Sequence, residues 1–125
     1  MEQFVSDYKA GWIRFNQFSG RTSVGAFWRF VGVNIVVSLV LALLGAVSSL
    51  LLIAAIVYAL VVLIPSVAVA FRRLHDTGRS GWLILLGLIP ILGPIILIVF
   101  YVQPSEGPNQ YGPGPDDSLD APAPW

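Results

Sequence analysis

Polar and apolar positions along this chain separate into blocks, with little of the alternation that marks a water-soluble domain. After Arg29 no formally charged residue occurs until Arg72, an uncharged stretch of more than forty residues. A bilayer is spanned by ~20 residues, so the stretch is long enough to cross twice and must fold back once. Small and hydroxyl residues interrupt the Leu/Val/Ile runs at Gly45-Ala46-Val47-Ser48-Ser49, which marks the turn. The pattern predicts a first span at 27–44 and a second at 50–71, with Pro65 kinking the second.

A third uncharged run, 82–102, has aromatic residues near both ends, as expected where side chains meet lipid headgroups. Pro90, Gly93 and Pro94 stand at its centre. Pro90 frees the carbonyl of Leu86 and Pro94 removes a further donor, so the run is either a kinked span or two half-helices in a re-entrant hairpin. The kinked span is the favoured expectation. The fold class is thus all-α: a helical integral membrane protein of about three transmembrane helices, the third broken at Pro90/Pro94.

Ahead of the first span, Phe4, Tyr8, Trp12 and Phe15 recur on one side of a helical wheel, with Lys9 and Arg14 elsewhere. This suits a helix lying in the membrane interface over 3–19. The membrane domain so defined covers 1–103. Beyond it, 104–125 holds six of the nine prolines and four carboxylates. Such a composition buries too little apolar surface to fold, and predicts an exposed, mostly extended tail.

Composition agrees: 56% of residues are hydrophobic and only 11% charged, against about 25% charged in a soluble domain. The first long apolar run begins too far from Met1 for a cleavable signal peptide, so the N-terminal segment is expected to be retained. Formal charge is zero, which argues against a nucleic-acid partner, and no cysteine is present for a disulfide or thiolate metal site. All seven basic residues lie before or at the start of the first span, or between the second and third. By the positive-inside rule the N-terminus and the Arg72–Arg79 loop face the cytoplasm. A full third span would put the tail outside; a re-entrant one would put it inside.

The connection Arg72-Arg73-Leu74-His75-Asp76-Thr77-Gly78-Arg79-Ser80-Gly81-Trp82 is the most distinctive polar segment. Arg72 and Asp76 stand at i, i+4 and suit a helical pair. Gly78 suits the left-handed residue that ends a helix, and Ser80 the cap that starts the next. The plain reading is a topology signal with a well-capped turn. The sharper one is a lipid-headgroup or partner contact made by Arg21, Arg72, Arg73, His75, Asp76, Arg79 and Trp82, with guanidiniums holding an anionic phosphate. His75 is the sole histidine and adjoins Asp76, but with no further ligands it predicts no metal site, and no nucleophile–base pair predicts catalysis. No catalytic, cofactor-binding or metal-binding residue is expected, and Thr22 or Ser23 should cap the first span. Within the spans, Asn34, Ser38, Tyr58 and Ser66 are the polar residues, and none is the ionisable group an ion path usually carries. Ala42/Ala46, Gly45/Ser49, Ala55/Ala59 and Ser66/Ala70 permit close helix approach, within one chain or between copies.

Phe18-x-Gly20-Arg21-x-Ser23 before Phe27-Trp28, then Pro65, the Arg72-to-Trp82 segment, Pro90, Gly93 and Gly107-Pro108-Asn109-x-Tyr111-Gly112-x-x-Pro115 together resemble the small bacterial inner-membrane proteins called domain of unknown function 805. The resemblance covers roughly 8–115. Val24 and Ala26 stand where a basic residue and a glutamate are common in that pattern. The resemblance implies a bacterial plasma-membrane location and transfers no activity. The sequence therefore favours a non-enzymatic accessory subunit that binds membrane lipids, anionic ones included, a membrane-protein partner or another copy of itself. The alternative is a small oligomeric transporter or channel component, for which broken helices would supply free carbonyls.

Overall fold

The computed structural model describes residues 1–115, and these form six helical elements with no β-strand among them. Helix α1 spans Glu2–Ile13, α2 Val24–Gly45, α3 Ser49–Val61 and α4 Leu63–Asp76; a 3-10 helix covers Gly81–Leu88, and α5 covers Leu92–Tyr101. Residues 116–125 of the expected tail lie outside the described part.

Helices α2 and α3–α4 make the antiparallel hairpin that the long uncharged run predicts. Ser23 caps α2 by accepting from the Ala26 amide (3.2 Å), and Ser48 caps α3 by accepting from Leu51 (3.4 Å). At 1.5 Å per residue the 22 residues of α2 reach about 33 Å, enough to cross hydrocarbon ~30 Å thick. Together α3 and α4 form one 28-residue rod, uncharged as far as Phe71 and broken only at Val62. Pro65 explains the break, since its ring clashes with the carbonyl of Val61 and it has no amide to donate.

The third element corrects the favoured expectation of a kinked span: it reverses and returns to the end it left. At its start Trp82 packs edge-on to Phe71 of α4, with ring centroids 5.5 Å apart. At its finish the Tyr101 ring lies 4.6 Å from Phe27, and the Tyr101 carbonyl accepts from Arg73 Nε at 3.0 Å. Arg79 and Phe100, one from each limb's base, meet with the guanidinium carbon 4.5 Å from the ring centre. The limbs match in length, because eight residues at the ~2.0 Å rise of a 3-10 helix and ten at 1.5 Å both give about 15–16 Å. Each limb therefore reaches only half the depth of α2.

The reversal is a γ-turn at Pro90-Ile91-Leu92. Leu92 N–H donates to Pro90 O at 2.8 Å, and Ile91 sits at φ 67°, ψ −61°, where a β-branched residue is a genuine outlier. Holding an L-residue in such a sparsely populated region costs about 1–3 kcal/mol, more than the ~0.5–1 kcal/mol entropic penalty of a glycine. Ile91→Gly is accordingly expected to leave the thermal midpoint in detergent unchanged or raise it. A drop of several degrees would argue against the strained turn.

The packed core lies at the polar end of the molecule, where Phe27 and Phe30 of α2 meet Val69 and Ala70 of α4. Beyond it the hairpin stands alone, with Leu39, Leu43, Leu50, Ile53 and Leu60 exposed. Helix α1 docks onto this core. Tyr8 stacks on Phe30 at 5.5 Å, and Gly11 is the point where the Phe30 ring crosses, since a Cβ there would overlap the ring. The expected aromatic stripe divides: Tyr8 and Trp12 turn to the hairpin while Phe4 and Phe15 stay exposed. Buried Asp7 pairs with Arg29, and the Tyr8 hydroxyl meets that of Tyr58, which donates to Asn34 Oδ1 at 2.7 Å. The intramembrane polar residues Asn34 and Tyr58 thus join α1, α2 and α3.

Candidate functional site

Helix α4 ends where glycine was expected to end it. Gly78 takes φ +78°, its amide donates to His75 O (3.0 Å), and the Arg79 amide reaches back to Leu74 O (2.9 Å). This pair of bonds is a Schellman motif, which needs the left-handed residue at that position. It fixes the last turn of α4 and aims Arg72, Arg73 and Asp76 into the protein, where each is almost fully buried.

Buried charge is tolerated only when it is paired and hydrogen-bonded. Asp76 receives Arg21 Nε at 2.9 Å on one carboxylate oxygen and Arg73 Nη1 at 2.6 Å on the other. Ser105 Oγ also donates to it, and the Asp76 carbonyl accepts from the Glu106 amide at 2.8 Å. The i, i+4 spacing points to Arg72 as the partner of Asp76; in the fold Arg72 serves a different group, donating to Thr22 Oγ1 (3.0 Å), Arg14 O (3.1 Å) and Gln17 O (2.7 Å).

Two guanidiniums on one carboxylate leave an excess of positive charge, and main-chain carbonyls absorb it. Arg73 Nε binds Tyr101 O at the end of α5, and its Nη2 binds Gln103 O. Arg72 binds Arg14 O at the end of α1. Helix C-termini present unpaired carbonyls carrying partial negative charge, so each arginine caps a neighbouring helix while being neutralised by it. Arg21 donates to the carbonyls of Asp76 (3.2 Å), Gly107 (3.0 Å), Gly112 (2.9 Å) and Glu106. The segment 105–112, the first part of the expected extended tail, is thereby strapped across the end of α4.

His75 lies past Phe71, outside the uncharged run. Its Nδ1 is 3.0 Å from Gly20 O, and since a carbonyl only accepts, Nδ1 carries the proton and Nε2 is the acceptor in the neutral ring. Burial lowers its pKa from the ordinary histidine value, against the opposing effect of the Gly20 bond. Tyr111 stacks on it at 4.0 Å and 6°, and Asn109 Nδ2 donates to the His75 carbonyl at 3.1 Å.

Of the seven candidate residues, Arg21, Arg72, Arg73 and Asp76 enter this buried network; His75 and Trp82 line a surface groove, and half-buried Arg79 sits over Phe100. The guanidiniums of Arg21, Arg72 and Arg73 are directed at internal acceptors, a placement that the expected contact with an external phosphate does not share. Reading the sequence missed Gln17, Thr22, Ser105, Asn109 and Tyr111 as members of the site. Ala26, at the position where glutamate is common in the resembling pattern, borders a cavity of about 20 Å³ beside Arg14 and Arg72, room for about one water. Among the described residues no group of three acidic, histidine or cysteine side chains is placed to hold a metal ion.

This arrangement ties together the stretches that known proteins share with the chain. The model of the family described as "Protein of unknown function (DUF805)" matches residues 15–113, from the end of α1 to the strap. Inner membrane protein YhaH of Escherichia coli K12 is 42% identical over 104 residues, covering 78% of this chain and 86% of its own. Inner membrane protein YhaI of the same strain is 36% identical over 100 residues, covering 78% of this chain and 85% of its own. No solved structure matches the chain. The family match takes in the first polar turn, the hairpin, the arginine-rich end of α4 and the strap, and the chain therefore belongs to the DUF805 family.

Proposed function

We propose that this protein is a non-enzymatic accessory subunit of the bacterial inner membrane, binding lipid or a membrane-protein partner through the surfaces its internal network leaves open. The observation that carries this reading is the division of labour among its side chains. Arg21, Arg72, Arg73 and Asp76 are committed to holding helix ends and the strap, while the outer half of the α2–α3 hairpin exposes Leu43 at 73% and Leu50 at 75%. Two helices with that much uncovered apolar surface suit a lipid-embedded element that packs against something else. In this reading α1, the end of α4 and the strap lie on the cytoplasmic side, in accord with the seven basic residues. The headgroup or partner contact falls to Trp82, Arg79 and His75.

Purification in mild detergent followed by native mass spectrometry tests this. Retained lipid, or an oligomer or complex of fixed stoichiometry, is the expected result; a lipid-free monomer under all conditions would contradict it. A channel or transporter component remains the second reading, favoured by the half-depth hairpin with its broken tip, a shape seen where backbone lines a cavity. Ion flux into liposomes above that of empty vesicles would support it, and no flux would remove it.

A further inference from the structure

The helical elements are shared unevenly along the length of the hairpin. Asn34 stands about 15 Å along α2 from Val24, and Gly45 about 32 Å. Helix α1 reaches the level of Asn34 through Tyr8, whose hydroxyl meets that of Tyr58, the donor to Asn34. The 3-10 helix starts beside Phe71 and α5 ends beside Phe27, and at about 15–16 Å each they stop partway along the hairpin as well. Past them the outer part of α2 and α3 exposes Leu39, Leu43, Val47, Leu50 and Ile53. Among the described residues, then, one half of the molecule carries α1, α2, α4, the 3-10 helix and α5, and the other carries α2 and α3 alone.

Hydrocarbon ~30 Å thick divides into leaflets of about 15 Å, so the step in width falls close to where the leaflets meet. A helix with its side chains is ~10–12 Å across, and the two limbs of the third element therefore add roughly 150–200 Å² of cross-section to one leaflet and none to the other. Helix α1 widens the same side. Such a body acts on a bilayer only if it resists being squeezed, and the wide half is braced. Arg73 ties the end of α5 to the end of α4 through Tyr101 O and Asp76, Trp82 packs on Phe71, and Gly93 brings α5 directly against the Leu86 carbonyl of the 3-10 helix. A flat bilayer has leaflets of equal area and must deform around this shape. Where the membrane is convex on the wide side, that leaflet already has the greater area.

We infer that the protein is a wedge that favours membrane convex on the side of its strap, so that its partner is a lipid surface of defined curvature, recognised by shape without headgroup chemistry. With the wide end cytoplasmic, as proposed above, the favoured sites are those where the inner membrane bulges toward the cytoplasm. This goes beyond the proposed function, which concerns what the exposed surfaces bind and not the shape of the bilayer that holds them.

Sorting of the full chain into membrane tubes pulled from giant vesicles tests the wedge. The chain has no cysteine, so a single dye can be placed at either end. Gly107→Cys, where an added Cβ meets nothing within 4 Å, marks the wide end, and Val47→Cys, at a position 81% exposed, marks the narrow one. A membrane-impermeant quencher added outside separates the two orientations. In tubes of about 15 nm radius, molecules labelled at Gly107→Cys and facing outward should be about twofold denser than in the vesicle body relative to a lipid dye, and those facing inward correspondingly depleted. Label at Val47→Cys should show the mirrored pattern, enriched where it faces inward. Equal density in tube and vesicle, or enrichment of the opposite orientation, would overturn the inference, and so would two labels that sort alike, since the dye would then be the cause. Equal density is also what a second copy covering the outer half would produce. Every reading comes from inserted molecules, so such a failure leaves lipid and partner binding in the proposed function standing.

Discussion

Asp76→Asn is expected to cost about 3–5 kcal/mol of stability, the range for breaking a buried ion pair by removing one partner. Asparagine keeps the size of the side chain, so the change isolates its charge. Arg21 and Arg73 would remain buried, facing a neutral amide that can accept at only one of its two terminal atoms. Both also hold the strap and the end of α5 through Gly107, Gly112 and Tyr101, so the loss should spread to those segments. In a chain of this length such a change corresponds to a fall of roughly 10 °C or more in the thermal midpoint. Arg79→Ala provides the contrast, because among the described residues the half-buried Arg79 side chain bonds only to Thr77 O at a long 3.4 Å besides its ring contact, and the change should stay within about 1 kcal/mol of the parent. If Asp76→Asn left the midpoint unmoved, the arginines would not be structural.

Gly93→Ala should disrupt the hairpin. A Cβ at Gly93 would fall within the van der Waals shell of the Leu86 carbonyl, a backbone atom that cannot swing aside. The two limbs would have to part, straining the Gly93 amide bond to Ile89 O (3.0 Å) and costing at least the ~1–3 kcal/mol of an overpacked core. Gly87→Ala is the matched control: there the nearest atom is the Leu97 Cδ1 methyl at 3.3 Å, which can turn away. A lower thermal midpoint for Gly93→Ala and a near-parental one for Gly87→Ala are the expected pair. Equal behaviour of the two would mean that the limbs are not in contact at Gly93.

The α2–α3 hairpin and its turn are legible from the uncharged run, because length against bilayer thickness leaves no other arrangement. The Gly78 cap is legible because only a left-handed position gives a glycine that role after an arginine-rich helix end. The reversal at Pro90–Leu92 is not, since prolines at 90 and 94 fit a kink as well as a hairpin; the decision rests on Ile91 taking a positive φ and on limbs matched in length, neither of which has a composition signal. The destination of the arginines is hidden for a related reason. Basic residues beside an apolar span ordinarily report topology, and the acceptors that draw Arg21 and Arg73 inward include, besides Asp76, backbone carbonyls of a proline-rich segment thirty or more residues away. Any residue can supply a carbonyl, so the sequence carries no mark of them. Asn109-x-Tyr111-Gly112 was the one visible sign that the strap had a fixed shape.

The central claim is that the third apolar element enters and leaves at one end, with α1, the end of α4 and the strap gathered there. Reporters fused before Met1 and after Trp125, one fluorescent only in the cytoplasm and one active only in the periplasm, test it directly. Cytoplasmic signal from both ends is the result this fold predicts; a cytoplasmic N-terminus with a periplasmic C-terminus would contradict it.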